Sequence, residues 1–363
     1  MSDEPLAGPA MQRQREICYE HSPKFVPVLE QLGCSLLVST YQADRLVAIG
    51  TEAGRLAISF HGFEQAMGVA VSPQCIAVGT GNQVWMLPAA ADIAGQIEPV
   101  GRFDACYLAR SAHLTGEIHL HEMAWAGVQP GIEDLWLVNT LFSCLCQLDG
   151  AHSFLPRWRP PFISALAAED RCHLNGVAML DGRPRYVTVF AQTDTAAGWR
   201  PGKANSGCIL DVDTGEALTH ELAMPHSPRM HQGRLWVLDS GRRRLLVVDR
   251  DTGRTDVVTE LPGYARGLAF CGPMAFVGLS KARETATFGG LPLDAHRDEL
   301  KCGIGIIEVA SGQYVGHLEF RAGIDEIFDV QVLAGVRCPA ISGPLAKLDG
   351  QSTIWVVPES GRD

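Results

Sequence analysis

His121, His173 and His226 stand at matched points of this chain, each at the head of a short apolar run: His121-Glu-Met-Ala-Trp125, His173-Leu-Asn-Gly-Val-Ala178 and His226-Ser-Pro-Arg-Met230. Imidazoles gathered in one place can ligate a metal as neutral rings or move protons as acid and base. The structural alternative is that each ring separately bonds the backbone of a neighbouring strand. Arg229 and Arg266 share the same pattern positions. Two guanidiniums facing one opening suit a carboxylate or phosphate, unless they are salt-bridged inside the fold.

A second group offers oxygen ligands. Asp134-Leu-Trp-Leu-Val-Asn-Thr140 and Arg234-Leu-Trp-Val-Leu-Asp-Ser240 are nearly the same segment, so Asn139 and Asp239 fall at equivalent points of two repeated units. With His173, Asn175 and Glu326 they make a candidate set for a divalent metal (Ca, Zn, Mn or Fe), or for no ion at all. Each has a plainer reading. Asn175-Gly176 suits a close-packed turn, Asp239-Ser240-Gly241 a tight turn, and Glu326 with Asp329 an exposed acidic turn. Cys172, beside His173, is a nucleophile candidate but reads better as a packing thiol.

The elements that must position these groups are short β runs bounded by Gly, Asp or Asn. Six of them begin a recurring four-strand unit: Met67-Gly-Val-Ala-Val71, Glu122–Trp125, Asn175-Gly-Val-Ala-Met179, Ser227–Met230, Arg266-Gly-Leu-Ala-Phe270 and Phe328–Val332. Such spacing describes an all-β, six-bladed propeller. Residues 34–61 supply three strands and lack a first, whereas Phe328–Leu333 has no unit of its own. The chain is therefore expected to close by pairing this C-terminal strand with the N-terminal blade. The propeller is set at 34–334. A loose tail and a short helix, with Ser22 as cap and Gly33 past its end, occupy 1–33. Residues 335–363 form an extension with one extra strand at Thr353–Val357. In a propeller, the loop leading into the first strand and the loop joining the second and third strands share one face. That face collects the three histidines, both arginines, Asn139, Asp239 and Glu326. It also collects two long insertions, 192–206 and 281–301, with Trp199, Phe288 and Leu291 as apolar contacts, which read as lids.

Bulk properties narrow the function classes. The formal charge is −11 with no basic run, which argues against nucleic acid. No stretch reaches membrane-spanning length, and Met1-Ser-Asp-Glu-Pro has no secretory pattern. The eleven cysteines have neither zinc-knuckle nor framework spacing and read as reduced thiols of a cytoplasmic protein.

Leu174-Asn-Gly-Val-Ala178, followed one blade later by Leu238-Asp-Ser240, resembles the gluconolactonase, senescence-marker and strictosidine-synthase-like propellers. That resemblance implies a divalent cation above the axis held by Asn175, Asp239, Asn139 and, by position, Glu326. It does not account for the three histidines. Asn139-Thr-Leu-Phe-Ser-Cys144, His226-Ser-Pro-Arg229 and Glu284-Thr-Ala-Thr-Phe-Gly-Gly290 are similar to a bacterial family of conserved hypothetical proteins that implies no activity. The expectation is an enzyme acting at the axial mouth on a small polar or anionic metabolite. A metal would assist hydrolysis, lyase chemistry or isomerisation, His121 or His226 would move the proton, and Arg229 and Arg266 would hold the anion. The alternatives are a metal-free histidine-dependent isomerase, epimerase or lyase, and a non-catalytic binding propeller.

Overall fold

The computed structural model describes residues 16–127, 131–281 and 289–357. Six antiparallel sheets of at least four strands stand around one axis. Blade I is Asp329–Ala334 followed outward by Cys34–Thr40, Arg45–Glu52 and Arg55–Gly62. Blade II runs from Val69–Val71 out to Ser111–Leu114, blade III from Leu120–Trp125 to Leu155–Trp158, and blade IV from Gly176–Leu180 to Ala217–Leu222. Blade V runs from Pro225–His231 to Thr255–Glu260, and blade VI from Tyr264–Cys271 to Tyr314–Ala322. The inner strands pack on one another in a closed ring.

The chain closes as its pattern predicts: Cys34 pairs with Ala334 and Ser39 with Asp329, so the last blade strand completes the first blade. All seven residues of Cys34–Thr40 are buried by this arrangement, and no edge is left at the seam.

Small residues at the heads of the inner strands answer a steric demand. A Cβ on Gly176 would lie 2.4 Å from Pro228 Cδ, and one on Gly267 would lie 2.5 Å from the Val330 amide nitrogen. Gly267 also has φ +81°, a conformation that L side chains resist. Three inner strands carry a register irregularity just after their first residues, between Leu120 and Met123, His226 and Arg229, and Ala265 and Leu268. These bulges re-aim the residues beyond them.

The periphery differs from expectation in three places. Cys18–His21 is a strand, added as a fifth to the outside of blade VI, and not loose tail. All four of its residues are exposed, so no hydrophobic alternation marks it. The helix spans Phe25–Leu32 and ends at Gly33 with φ 61°, as expected, but Lys24 and not Ser22 stands at its N-cap. Ser22 instead bonds the His317 amide through its Oγ, fastening the chain to blade VI. The extra C-terminal strand is Pro339–Ser342, parallel to Ala105–Leu108. Thr353–Val357 forms no strand; Trp355 and Val357 face solvent and Ile354 packs inward. No helix among the described residues is long and apolar enough to cross a membrane.

Candidate functional site

One cavity of about 320 Å³ lies on the face that collects the blade-entering loops, and His121, His173 and His226 all line it, with Tyr264, Arg266 and Glu326. Tyr41, Phe190 and Phe328 give it aromatic walls. The blades bring the three imidazoles together as the repeat predicts. The His121 and His173 rings meet edge to face at 4.8 Å, and Phe190 lies between His173 (4.3 Å) and His226 (5.2 Å).

Two of the histidines are held by the same device. His121 Nδ1 is 2.9 Å from the carbonyl of His119 and 2.8 Å from Thr140 Oγ1. The Thr140 hydroxyl donates its own proton to the Leu174 carbonyl at 2.6 Å, so toward His121 it acts as acceptor. In blade V, His226 Nδ1 is 2.9 Å from the Met224 carbonyl and 3.0 Å from Ser240 Oγ, which donates to the Ala265 carbonyl at 2.6 Å. Each Nδ1 therefore carries the proton toward a carbonyl that can only accept, which leaves the lone pair on Nε2; the Tyr264 hydroxyl lies farther from His226 Nδ1, at 3.5 Å. The carbonyls are aimed by a residue two positions earlier with positive φ, His119 at 51° and Met224 at 49°. Burial is the first cause, and the Arg266 charge the second, that holds both rings well below the ordinary histidine range; both are neutral.

His173 is held differently. Its Nδ1 bonds Asp170 Oδ2 at 2.9 Å, and the same oxygen accepts the Trp199 indole N–H at 3.0 Å. This ring alone of the three has a carboxylate partner. None of the three Nε2 atoms has a hydrogen-bond partner among the described residues.

Arg266 is 9 % exposed, with its guanidinium carbon 3.3 Å from the Phe328 ring centre and its Nη1 3.7 Å from Glu326. Its Nη2 is buried without a hydrogen-bond partner, a deficit that usually costs about 1–3 kcal/mol. Burial pushes the Tyr264 hydroxyl up, so it remains a donor.

Arg229 is not at the cavity. The bulge after His226 carries it down the axis, where Nη1 meets Glu122 Oε2 at 2.8 Å and Nη2 lies 3.8 Å from Asp329 Oδ1. Glu122 also accepts from the Val177 amide, Asp329 accepts from the Val69 amide, and Arg229 Nε donates to the Leu268 carbonyl. Residues from all six inner strands thus converge on one buried cluster, an axial clasp. The assignment of Arg229 to substrate is corrected accordingly.

The proposed ligand set does not assemble either. Of His173, Asn175, Asp239, Glu326 and Asn139, only His173 and Glu326 line the cavity. Asn139 Oδ1 accepts the Phe142 amide and Asn175 Oδ1 the Thr188 hydroxyl. The Asp239 carboxylate accepts the Ala223 amide at 2.7 Å and pairs with Arg242 at 3.2 Å. At the end of each repeated Trp strand the amide or carboxylate turns back into its own turn, while the following hydroxyl reaches the site. Among the described residues, the only three His, Cys, Asp or Glu with ligand atoms within 4.8 Å of one another are Glu20, His317 and Glu319, on the outside of blade VI. Arg321 and Lys301 already pair with those carboxylates. The oxygen-rich set that the lactonase resemblance implies does not fit this chain.

The described parts of both insertions pack beside the cavity. Trp199, 1 % exposed, shares a cluster with Phe190, Tyr264, Leu291 and Leu300. Phe288 and residues 284–288 of the second resemblance motif lie outside the described residues. Cys172 is a buried thiol pushed up to about 12 by burial, which suits packing and not attack. Asp170, Phe190 and Thr140 are the contributors that the sequence reading did not assign; Asp170, three residues before His173, was the legible one.

Residues 23–342 match the family described as "Domain of unknown function (DUF4915)". This is the family found, in place of the gluconolactonase type; Gly176 and Asp239 of the shared motifs serve blade packing and turn geometry. No curated protein matches the chain. Among solved structures, a chain of a nidogen/laminin complex is 11 % identical, with a TM-score of 0.49 over 83 % of this chain and 99 % of that one. A protein of unknown function from Bacteroides caccae is 10 % identical, with a TM-score of 0.48 over 83 % of this chain and 98 % of that one.

Proposed function

We propose a function for a chain that belongs to the family described as a domain of unknown function (DUF4915): its axial cavity binds a small anionic metabolite and moves a proton on it. The supporting observation is the set of three imidazoles with Nδ1 fixed to protein and Nε2 unpartnered, lining one cavity with a buried cation. Arg266 receives the anion, most simply a carboxylate. His173 is the general base: Nε2 takes the proton from a carbon made acidic by a neighbouring carbonyl or carboxylate, and Asp170 balances the imidazolium that forms. Negative charge that develops on the substrate oxygen is stabilised beside Arg266. His121 and His226 stay neutral and accept hydrogen bonds from substrate hydroxyls through Nε2. Returning the proton to another carbon gives an isomerisation, and expelling a β-substituent gives a lyase reaction.

The test is exchange in deuterated buffer. Panels of 2-hydroxy, 2-oxo and 3-hydroxy carboxylates are incubated with the protein, and loss of carbon-bound hydrogen is followed by proton NMR. Exchange is expected with at least one panel, about 10²–10⁴-fold slower in His173→Gln and at least about tenfold slower in Asp170→Asn. Buffer rates in every panel sink the proposal.

A second reading, with a metal on imidazole nitrogens, draws on the Nδ1–H···carbonyl and Nδ1–H···carboxylate bonds that commonly orient metal-bound histidine. The Arg266 charge in the same cavity opposes it. Stoichiometric metal in purified protein, lost in both His121→Ala and His173→Ala, would select that reading.

A further inference from the structure

The clasp divides the axial channel, and beneath it lies a second cavity of about 400 Å³ at the opposite mouth. Its walls come from the far ends of the inner strands: Met123, Trp125, Met179, Met230 and Gln331, with Arg229 among the lining residues. This volume lies within the range of small-molecule sites. It shares no lining residue with the histidine cavity, and the inference is independent of the proposed reaction.

Arg229 offers this cavity an unused donor. Its Nε and Nη1 are bonded to Leu268, Glu122, Val177 and Pro228, whereas Nη2 makes no hydrogen bond with a described residue. The nearest carboxylate oxygen to Nη2, Asp329 Oδ1, is 3.8 Å away. In the clasp two carboxylates face the one Arg229 guanidinium, so its charge is offset and Nη2 presents N–H groups without a free positive charge. An anion is repelled there, and a cation meets the guanidinium itself. A neutral oxygen acceptor suits both the donor and the charge. The remaining walls include three thioethers and an indole, surfaces that pack well on aromatic rings, with Gln331 and Ser72 as polar members.

We propose that the lower cavity is a second binding site, taking a small neutral aromatic molecule whose carbonyl or amide oxygen accepts from Arg229 Nη2. The probes are 2-phenylacetamide, 2-phenylacetate and 2-phenylethylammonium, which share a body and differ in charge. Titration calorimetry is run alongside spectra of protein labelled with ¹³C at the methionine methyls. The amide is expected to bind at least about tenfold more tightly than either ion and to shift the methyl signals of Met123, Met179 and Met230. Met230→Trp, which fills the cavity, is expected to abolish binding. The methyl shifts need no variant, so the test stands even if that substitution unfolds the chain. Tighter binding of phenylacetate, amide binding without these methyl shifts, or no binding of any probe at millimolar concentration overturns the proposal.

Discussion

Replacing Arg229 by Met removes the cation paired with two buried carboxylates, Glu122 at 5 % and Asp329 at 1 % exposure. Breaking a buried pair by deleting one partner typically costs about 3–5 kcal/mol, because the remaining charge is stranded. At about 2 °C per kcal/mol for a domain of this size, the melting temperature should fall by about 6–10 °C. The loss should depend on pH. Burial raises Asp329 to about 6, against the opposing pull of Arg229. Between about 4 and 6 the folded chain therefore holds a proton that the unfolded chain has released. The Asp329 contribution to stability falls as pH rises through that window, by on the order of 3 kcal/mol, while buried His61 acts in the opposite sense. Without Arg229 the Asp329 carboxyl rises further, so the penalty of Arg229→Met should be smaller near pH 5, where Asp329 holds its proton, than near pH 8. The variant that also carries Glu122→Gln and Asp329→Asn should recover most of the loss. The assay is calorimetric or denaturant unfolding of wild type, single and triple variants at both pH values. Wild-type melting of Arg229→Met at pH 8, or a triple variant no better than the single, would refute the clasp.

Other outcomes follow from the same geometry. Gly267→Ala, with its positive φ and a Cβ 2.5 Å from the Val330 nitrogen, should cost about 2–4 kcal/mol in denaturant unfolding. Ser240→Ala removes a hydroxyl bonded to the Ala265 carbonyl and should cost about 1–2 kcal/mol, while weakening the His226 Nδ1 proton's bonding in proton NMR. His61, buried in blade I, is lowered to about 4 by burial. Its contribution is fully present above pH 6.5 and is lost as pH falls toward 4, on the order of 3 kcal/mol, so His61→Leu should flatten that acid limb in unfolding titrations.

Much of this arrangement was legible because inner strands cannot avoid their packing. Gly68, Gly176 and Gly267 announce three blades, since a Cβ at each meets the backbone or side chains of the next inner strand. Once the blades were counted, propeller geometry brought His121, His173 and His226 to one mouth. What the pattern could not give is direction. Asn139 and Asp239 hold equivalent strand ends, yet Asn139 turns into its own turn and Asp239 toward the Ala223 amide and Arg242, and the less conspicuous Thr140 and Ser240 reach the histidines. Arg229 follows His226 by three residues, and the bulge between them sends one to the cavity and the other to the axis. Asp170 lies outside any strand, so its three-residue spacing to His173, and no periodicity, was the sign of it. Cys18–His21 was invisible for a related reason, because an exposed outermost strand needs no alternation.

The central claim is that the cavity presents neutral imidazoles with a fixed Nδ1 proton and an open Nε2. Nitrogen-15 NMR of histidine-labelled protein, assigned with single His→Gln variants, reads this directly. The account predicts the Nδ1–H form for His121 and His226 at pH 7, with neither ring titrating near 6.5, and a shift of Nε2 when a small carboxylate is added. Nε2–H forms, or titration of both rings near 6.5, would contradict it.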